Sequence, residues 1–103
     1  PEHPDLNIWL RDFTGANGLF GVSLEDRGDK AVRAFFDALE LFGLGFSWGG
    51  YESLAIPADP GAIREKGHWL NETEDRLIRL HVGLEDVGDL QEDLLCALNA
   101  YCN

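Results

Sequence analysis

The sequence is poor in basic residues and contains no long apolar run. It has 8 Lys and Arg against 19 Asp and Glu, which gives a net charge of −11 at pH 7. A chain this acidic is not expected to bind nucleic acid or an anionic membrane through a basic patch. No segment approaches the roughly 18–20 consecutive apolar residues that cross a bilayer, and residues 1–4 do not resemble a signal peptide. We therefore expect neither a nucleic-acid nor a membrane partner.

Cysteine is scarce and methionine is absent. The two cysteines, Cys96 and Cys102, lie six residues apart, a spacing that matches neither a zinc site nor a redox Cys-x-x-Cys motif. This usage predicts a reducing compartment, and the simplest localisation is the cytoplasm. Because position 1 is Pro and not Met, the sequence also predicts a piece trimmed from a longer protein.

The remaining composition is that of one small globular domain. The chain has 103 residues, of which 45% are apolar and 26% are charged. We predict a single domain over residues 1–103, because this length is typical of one domain and the apolar fraction is sufficient for one core.

The pattern of apolar residues predicts alternating strands and helices. Strict alternation favours strands, and helical spacing between an Asp cap and a Gly stop favours helices. Predicted strands cover 19–24, 44–48, 54–56 and 77–82, and predicted helices run from Asp29 to Gly43 and from Asp86 to the C-terminus. The glycine pair 49–50 joins two of the strands, and 57–76 forms a surface connection with a helical turn at 62–66. This order predicts an α+β fold, a two-layer sandwich in which helices cover one face of a mostly antiparallel four-stranded sheet.

The other sheet face is predicted to be small and polar, with Gly45, Ser47, Arg79 and His81 sharing it. Arg79 is notable because it lies in mid-strand between two apolar residues, and a fixed guanidinium can bind a carboxylate through two hydrogen bonds. From spacing alone, an ion pair with one of the many acidic residues is the more common explanation. The two interpretations, ligand carboxylate and ion pair, both stay open at this point.

Other candidate motifs have ordinary structural explanations. Trp48 lies beside Gly49-Gly50, which allows either close approach of a ligand or a simple turn, and a Trp is more often a core residue than a site residue. The histidines at positions 3, 68 and 81 lack a second ligand at metal spacing, so we expect no metal site. No Ser-His-Asp or Cys-His arrangement is recognisable.

Three segments resemble a known enzyme family in order and in spacing. These are WLRDFTG at 9–15, FSWGGYESL at 46–54 and LIRLHVGLED at 77–86. They are similar to the C-terminal part of the Cys/Met metabolism (transsulfuration) family of pyridoxal-phosphate enzymes. Trp48 and His81 resemble its cystathionine β-lyase branch, because other branches have Leu and Ser at these places.

The resemblance implies the C-terminal small domain of a fold-type I enzyme that uses pyridoxal 5'-phosphate. The implied reaction is a β-elimination that cleaves a carbon–sulfur bond of a cystathionine-like amino acid and gives homocysteine, pyruvate and ammonia. In this role Arg79 binds the substrate α-carboxylate, and Ser47 and Trp48 help to place the substrate and the cofactor lysine.

The same resemblance implies that much of the enzyme lies outside this chain. Residues 1–17 are then a linker from a missing large domain, and the complete enzyme is a homo-oligomer. Neither Lys30 nor Lys66 is a credible cofactor lysine, so the cofactor lysine and phosphate site belong to the large domain, and the 103 residues alone are expected to be inactive. Two alternatives remain, namely another transsulfuration enzyme (a γ-lyase, γ-synthase or cysteine desulfhydrase) and a free-standing acidic α+β binding module.

Overall fold

The computed structural model describes residues 3–62 and 75–103, which form helices and a four-stranded sheet. In chain order the elements are α1 (Leu6–Asp12), β1 (Leu19–Leu24), α2 (Asp29–Asp37), β2 (Gly43–Leu44), β3 (Leu54–Ala58), a 3-10 turn (Pro60–Ala62), β4 (Arg76–His81) and α3 (Val87–Cys102). The predicted helical turn at 62–66 lies, beyond Ala62, outside the described residues.

The sheet has the strand order β1-β4-β3-β2. β4 pairs antiparallel with both β1 and β3, while β2 pairs parallel with β3. Because side chains alternate along a strand, Ile78 and Leu80 point to one face and are buried, while Arg79 and His81 point to the other. The predicted mostly antiparallel sheet is confirmed, with one parallel pair.

Both longer helices cover the Ile78 face of the sheet. α2 packs against α3, and their side chains join the strands in one apolar core. The buried apolar residues are Phe35, Phe42, Ala55, Ile78, Leu80, Leu90, Ala97 and Tyr101. The predicted two-layer α+β arrangement is thereby confirmed, and the face that carries Arg79 is left without helical cover among the described residues.

The prediction of a strand over 44–48 was wrong in length and in partner direction. Only Gly43 and Leu44 pair with β3, and they run parallel to it. Gly43 N–H donates to the Ser53 carbonyl and Gly45 N–H to the Ala55 carbonyl, so the chain leaves the sheet after residue 45 and returns in the same direction. A glycine hairpin between two antiparallel strands is therefore not formed.

α2 is shorter than the apolar spacing predicted. It ends at Asp37, and its N-cap is Gly28 in place of Asp29. Beyond the helix, the carboxylate of Asp93 accepts hydrogen bonds from the backbone N–H groups of Glu40, Leu41 and Phe42, at 2.8–3.1 Å. These bonds replace the helical ones that would have continued α2 to Phe42.

The remaining differences lie at element ends. β4 begins at Arg76 and ends at His81, one residue earlier at each end than predicted. The cap of α3 is confirmed, since the Asp86 side chain accepts from the N–H groups of Gly88 and Asp89, but Val87 is 66% exposed and does not join its apolar stripe.

α1 lies within the segment that we predicted as a linker, and none of its residues is buried.

Candidate functional site

Arg79 lies at the centre of the uncovered sheet face. In the register of the sheet it stands between Gly21 of β1 and Ile56 of β3. Its Nη2 donates a hydrogen bond to the backbone carbonyl of Ser47 at 2.7 Å. Its guanidinium carbon is 5.4 Å from the centroid of the Phe46 ring, within range of a cation–π interaction. The strand and the loop after β2 thus fix the guanidinium of a half-buried arginine.

No carboxylate of the described residues lies within ion-pair distance of Arg79. The ion pairs in residues 3–62 and 75–103 involve the other arginines: Arg11 with Asp12, Arg27 with Glu25, and Arg76 with Asp26 and Asp29. A carbonyl satisfies a donor without neutralising its charge. Within this part of the chain, the ion-pair interpretation of Arg79 is therefore not supported.

Ser47 and Trp48 begin the loop of residues 47–52, which we call the Trp48 loop. The Ser47 hydroxyl accepts a hydrogen bond from Gly50 N–H at 3.1 Å, so it is the Ser47 carbonyl, and not its side chain, that contacts Arg79. Trp48 is 90% exposed, so the more common role of a Trp as a core residue does not apply to it in the described structure. Gly49 has a φ of 82°, a left-handed conformation that glycine adopts without strain.

His81 ties the Trp48 loop to the sheet. Its Nε2 accepts a hydrogen bond from Gly49 N–H, and its Nδ1 lies 3.0 Å from the Glu52 carbonyl oxygen. The side chain is buried, with 3% exposed. Alternation along the strand correctly placed His81 on the face of Arg79, but no sequence signal predicts its two backbone partners, because they lie about 30 residues away in the chain.

A second junction fixes the end of the Trp48 loop to the loop between β4 and α3. Buried Ser53 donates its hydroxyl to Glu85 at 2.7 Å and accepts from Gly83 N–H at 2.8 Å. The pKa of Glu85 is lowered, first by the Ser53 hydroxyl and then by nearby backbone N–H groups. Sequence reasoning missed both side chains, since an isolated Ser and a Glu next to a helix cap carry no distinctive spacing.

Gly83 allows these two segments to approach each other closely. A Cβ at Gly83 would overlap the backbone of Tyr51 and stand 2.6 Å from Ser53 N. Only glycine fits this crossing without backbone movement.

A shallow cleft of about 350 Å³ lies beside the Trp48 loop, where Trp48, Gly49, Gly50 and His81 face residues 17–19. Arg79 does not line this cleft. The loop therefore contacts Arg79 through the Ser47 carbonyl and lines the cleft with residues 48–50.

The described residues include no candidate for a cofactor lysine and no cluster of metal ligands. Their only lysine, Lys30, is exposed in the first turn of α2, in the helix layer behind the sheet face of Arg79. Lys66 lies outside the described residues. Within residues 3–62 and 75–103, no group of three His, Cys, Asp or Glu side chains is placed to hold a metal ion.

No helix in the described parts of the chain is both long enough and apolar enough to cross a membrane.

The chain is similar to enzymes of sulfur amino-acid metabolism. Residues 1–99 match the model of the family described as "Cys/Met metabolism PLP-dependent enzyme". The chain belongs to this family. It matches the C-terminal domain of these Cys/Met metabolism enzymes, as the resemblance of the three segments predicted.

Two curated relatives and one solved structure illustrate the similarity. The chain is 44% identical over 99 residues to cystathionine beta-lyase of Bordetella avium, covering 96% of this chain and 24% of that one. It is 42% identical over 104 residues to cystathionine gamma-lyase of Rattus norvegicus, covering 97% and 26%. Cystathionine gamma synthase of Xanthomonas oryzae pv. oryzae, solved with cystathionine, superposes with a TM-score of 0.68 at 33% identity, over 97% of this chain and 26% of that one.

The chain therefore spans about a quarter of the length of the Cys/Met metabolism enzymes it matches.

Proposed function

We propose that the chain is the C-terminal domain of a pyridoxal-phosphate-dependent carbon–sulfur lyase that acts on cystathionine. The proposed reaction removes the α-proton, breaks the Cβ–S bond and, with water, gives homocysteine, pyruvate and ammonia. Support comes from family membership and from the similarity to cystathionine beta-lyase, which is as high as 44% identity.

The observation that carries the proposal is the state of the Arg79 guanidinium. It is half-buried and held by a carbonyl and an aromatic ring, with no carboxylate partner among the described residues although the chain has 19 Asp and Glu. An arginine fixed in this way keeps both its positive charge and its remaining donors for a ligand. We propose that this ligand is the α-carboxylate of the substrate.

Ser47 and Trp48 have supporting roles in this proposal. Ser47 fixes Arg79 through its carbonyl and shapes the turn through its hydroxyl. Trp48, largely exposed on the same loop, would pack against the substrate or against the domain that holds the cofactor. We propose that both residues help to place the substrate and the cofactor lysine, and that neither takes part in bond breaking.

The cofactor belongs, in this proposal, to the part of the enzyme outside this chain. Pyridoxal phosphate supplies an electron sink for the carbanion in such enzymes, and its lysine and phosphate site would lie in a large domain that residues 1–17 connect to this one. We propose that the complete enzyme is a cytoplasmic homo-oligomer and that the 103 residues alone release no pyruvate.

The test is to measure pyruvate release from cystathionine by the full-length protein with added pyridoxal phosphate. We expect Arg79→Ala to raise KM and to lower kcat, because a loosely held substrate also loses its reactive orientation. Hydrogen bonds to a charged group contribute about 1.5–3 kcal/mol, so their loss should lower kcat/KM roughly 10- to 150-fold. Arg79→Lys should recover part of this loss.

Arg33→Ala is the matched control, because the Arg33 side chain is exposed on α2 and makes no hydrogen bond or ion pair with the described residues. Near-normal kinetics in Arg79→Ala would refute the carboxylate-binding role. A wild-type protein that gives no product from any thio amino acid would favour the binding module over the enzyme.

A γ-elimination remains the nearest alternative, because the identity to cystathionine gamma-lyase is almost as high, at 42%. The same assay separates the two reactions by their oxo-acid product. β-Elimination of cystathionine gives pyruvate, whereas γ-elimination gives 2-oxobutyrate and cysteine.

A further inference from the structure

The imidazole of His81 bridges the middle and the end of the Trp48 loop. Gly49 N–H donates to Nε2 at 3.0 Å, and the Glu52 carbonyl oxygen lies 3.0 Å from Nδ1. Both loop partners are backbone groups, so these contacts depend on the side chain at position 81 alone. A single buried ring therefore holds the loop at two points over the sheet face.

The two partners also define the protonation of the ring. A backbone N–H can only donate, so Nε2 has to be the acceptor, and a carbonyl can only accept, so Nδ1 has to carry the proton. The hydrogen bonds therefore require the neutral Nδ1–H tautomer of His81. No proton is left on Nε2 for transfer, and the ring is not placed as an acid.

Little else in the described residues holds the Trp48 side chain in place. Trp48 is 90% exposed, and the neighbouring Gly49 has a positive φ and no Cβ to restrict it. The other hydrogen bonds of the loop fix Ser47, through Gly50 N–H and through Arg79, and the Tyr51 carbonyl, which accepts from Leu84 N–H at 2.9 Å. The Gly49–His81 bond thus acts on the peptide that immediately follows Trp48.

We propose that His81 is a positioning residue, which presents Trp48 by holding the backbone of the Trp48 loop against the sheet. Its bond to Gly49 sets the direction of Trp48, and its bond to Glu52 closes the loop. The consequence for catalysis rests on the proposed function, whereas the consequence for the loop does not.

Three substitutions separate the two hydrogen bonds. In His81→Gln the amide oxygen can reach the position of Nε2 and accept from Gly49, whereas in His81→Asn the amide nitrogen replaces Nδ1 and only the Glu52 bond can form. His81→Phe keeps an aromatic ring at this position and removes both bonds. If the His81→Phe protein does not fold, His81→Gln and His81→Asn are compared directly with each other.

The first measurement uses the full chain and NMR. We expect the ¹⁵N shifts of His81 to report the Nδ1–H tautomer. The Gly49 amide should exchange with solvent roughly three- to tenfold faster in His81→Asn and His81→Phe than in the wild type, as expected for one hydrogen bond. In His81→Gln the rate should stay within about twofold of wild type. A protonated Nε2, or equal Gly49 exchange in Gln and Asn, would overturn the proposal.

The second measurement is the kinetics of the same variants in the full-length protein with cystathionine. We expect KM to rise roughly three- to tenfold in His81→Asn with kcat nearly unchanged, and His81→Gln to restore KM. A role in stability alone would not give this split or this recovery. Equal KM in Gln and Asn, with different Gly49 exchange, would overturn the positioning of substrate through the loop.

Ser23→Ala is the control, since Ser23 lies on the same sheet face but bonds to Asp75, and it should leave both readouts unchanged. Failure of the proposed function is recognised separately, because the wild-type protein would then release no product while the NMR results still stand.

Discussion

At the scale of single residues, the pKa of Glu85 reports on the junction with Ser53. The folded pKa lies below the ordinary value because the ionised carboxylate accepts the Ser53 hydroxyl. The contribution of the Glu85 carboxylate to the stability of the fold is therefore fully present above the pKa that Glu85 has in the unfolded chain. This contribution is lost as the pH falls through the lower pKa that Glu85 has in the folded protein. The junction weakens only in acid.

Removing the hydroxyl should shift this titration. In Ser53→Ala we expect the pKa of Glu85 to rise towards its ordinary value, because the largest cause of its lowering is gone. Weakening of the junction should accordingly begin at a higher pH than in the wild type. A ¹³C NMR titration of the Glu85 carboxyl group measures the shift directly.

Asp26 provides an internal control in the same spectra. Its pKa is lowered chiefly by the side chain of Arg76, at the far end of β4, so it should titrate alike in Ser53→Ala and in the wild type. An unchanged Glu85 titration in the variant would show that the backbone N–H groups alone determine its pKa.

At the scale of residues, the sequence predicted that Arg79 and His81 share one face of the sheet, but it did not predict which groups they contact. Alternation in 77–82 is enough to assign faces. The groups that fix both residues are backbone atoms of 47–52, and backbone atoms leave no signature in the sequence. The sequence alone therefore left both interpretations of Arg79 open, and the absence of a carboxylate partner among the described residues is visible only in the tertiary structure.

At the scale of elements, the end of α2 is attached to α3 by one buried carboxylate. Asp93 is 7% exposed and accepts three backbone N–H groups, from Glu40, Leu41 and Phe42. These are N–H groups that a continued helix would have paired. One side chain on α3 thus terminates α2 and directs the chain towards β2.

We expect Asp93→Asn to destabilise the fold by about 1–3 kcal/mol. The amide keeps one acceptor oxygen but turns an NH₂ group towards N–H donors that then lack a partner. Urea denaturation of the full chain measures the free energy of unfolding. The matched control is Glu92→Gln, the adjacent exposed position with the same change of charge, which should stay within about 0.5 kcal/mol of wild type. Equal effects at both positions would mean that charge, and not hydrogen bonding, is responsible.

Helix and strand positions were largely predictable, but their ends and pairing directions were not. The spacing of apolar residues located β1, β4 and α3 to within a residue or two. Each of these elements buries one face, so its apolar residues recur with the period of a strand or of a helix. The parallel pairing of β2 and the early end of α2 arise from long-range hydrogen bonds. Local periodicity contains no information on such bonds.

At the scale of the whole molecule, the charge of −11 implies repulsion spread over the surface. The basic residues found in ion pairs are exposed or partly exposed, and such pairs contribute little to stability. Repulsion among the remaining carboxylates should therefore dominate the response to salt.

We expect sodium chloride to stabilise the chain at pH 7. Raising it from about 0.02 to 0.3 M shortens the Debye length to below about 10 Å and screens the repulsion. The melting temperature in a thermal scan should rise by about 3–8 °C, which corresponds to roughly 1 kcal/mol for a domain of this size. The same series at pH 4.4, the sequence pI, is the control and should give a much smaller rise. A lower melting temperature in salt at pH 7 would mean that ion pairs outweigh the repulsion.

The α+β class and the family were both predictable from sequence, for different reasons. The fold class follows from the spacing of apolar residues along the chain. The family follows from the sequences of three short segments, and the family match over residues 1–99 confirms it.

The two edges of the sheet differ in their capacity to recruit another strand. β2 contributes only Gly43 and Leu44 at one edge, which is too short a template for aggregation by strand addition. β1, at the opposite edge, has six residues, and no strand of the described residues pairs with its outer side. An intermolecular β-sheet, in a partly unfolded preparation or in a crowded cell, would therefore grow from Leu19–Leu24.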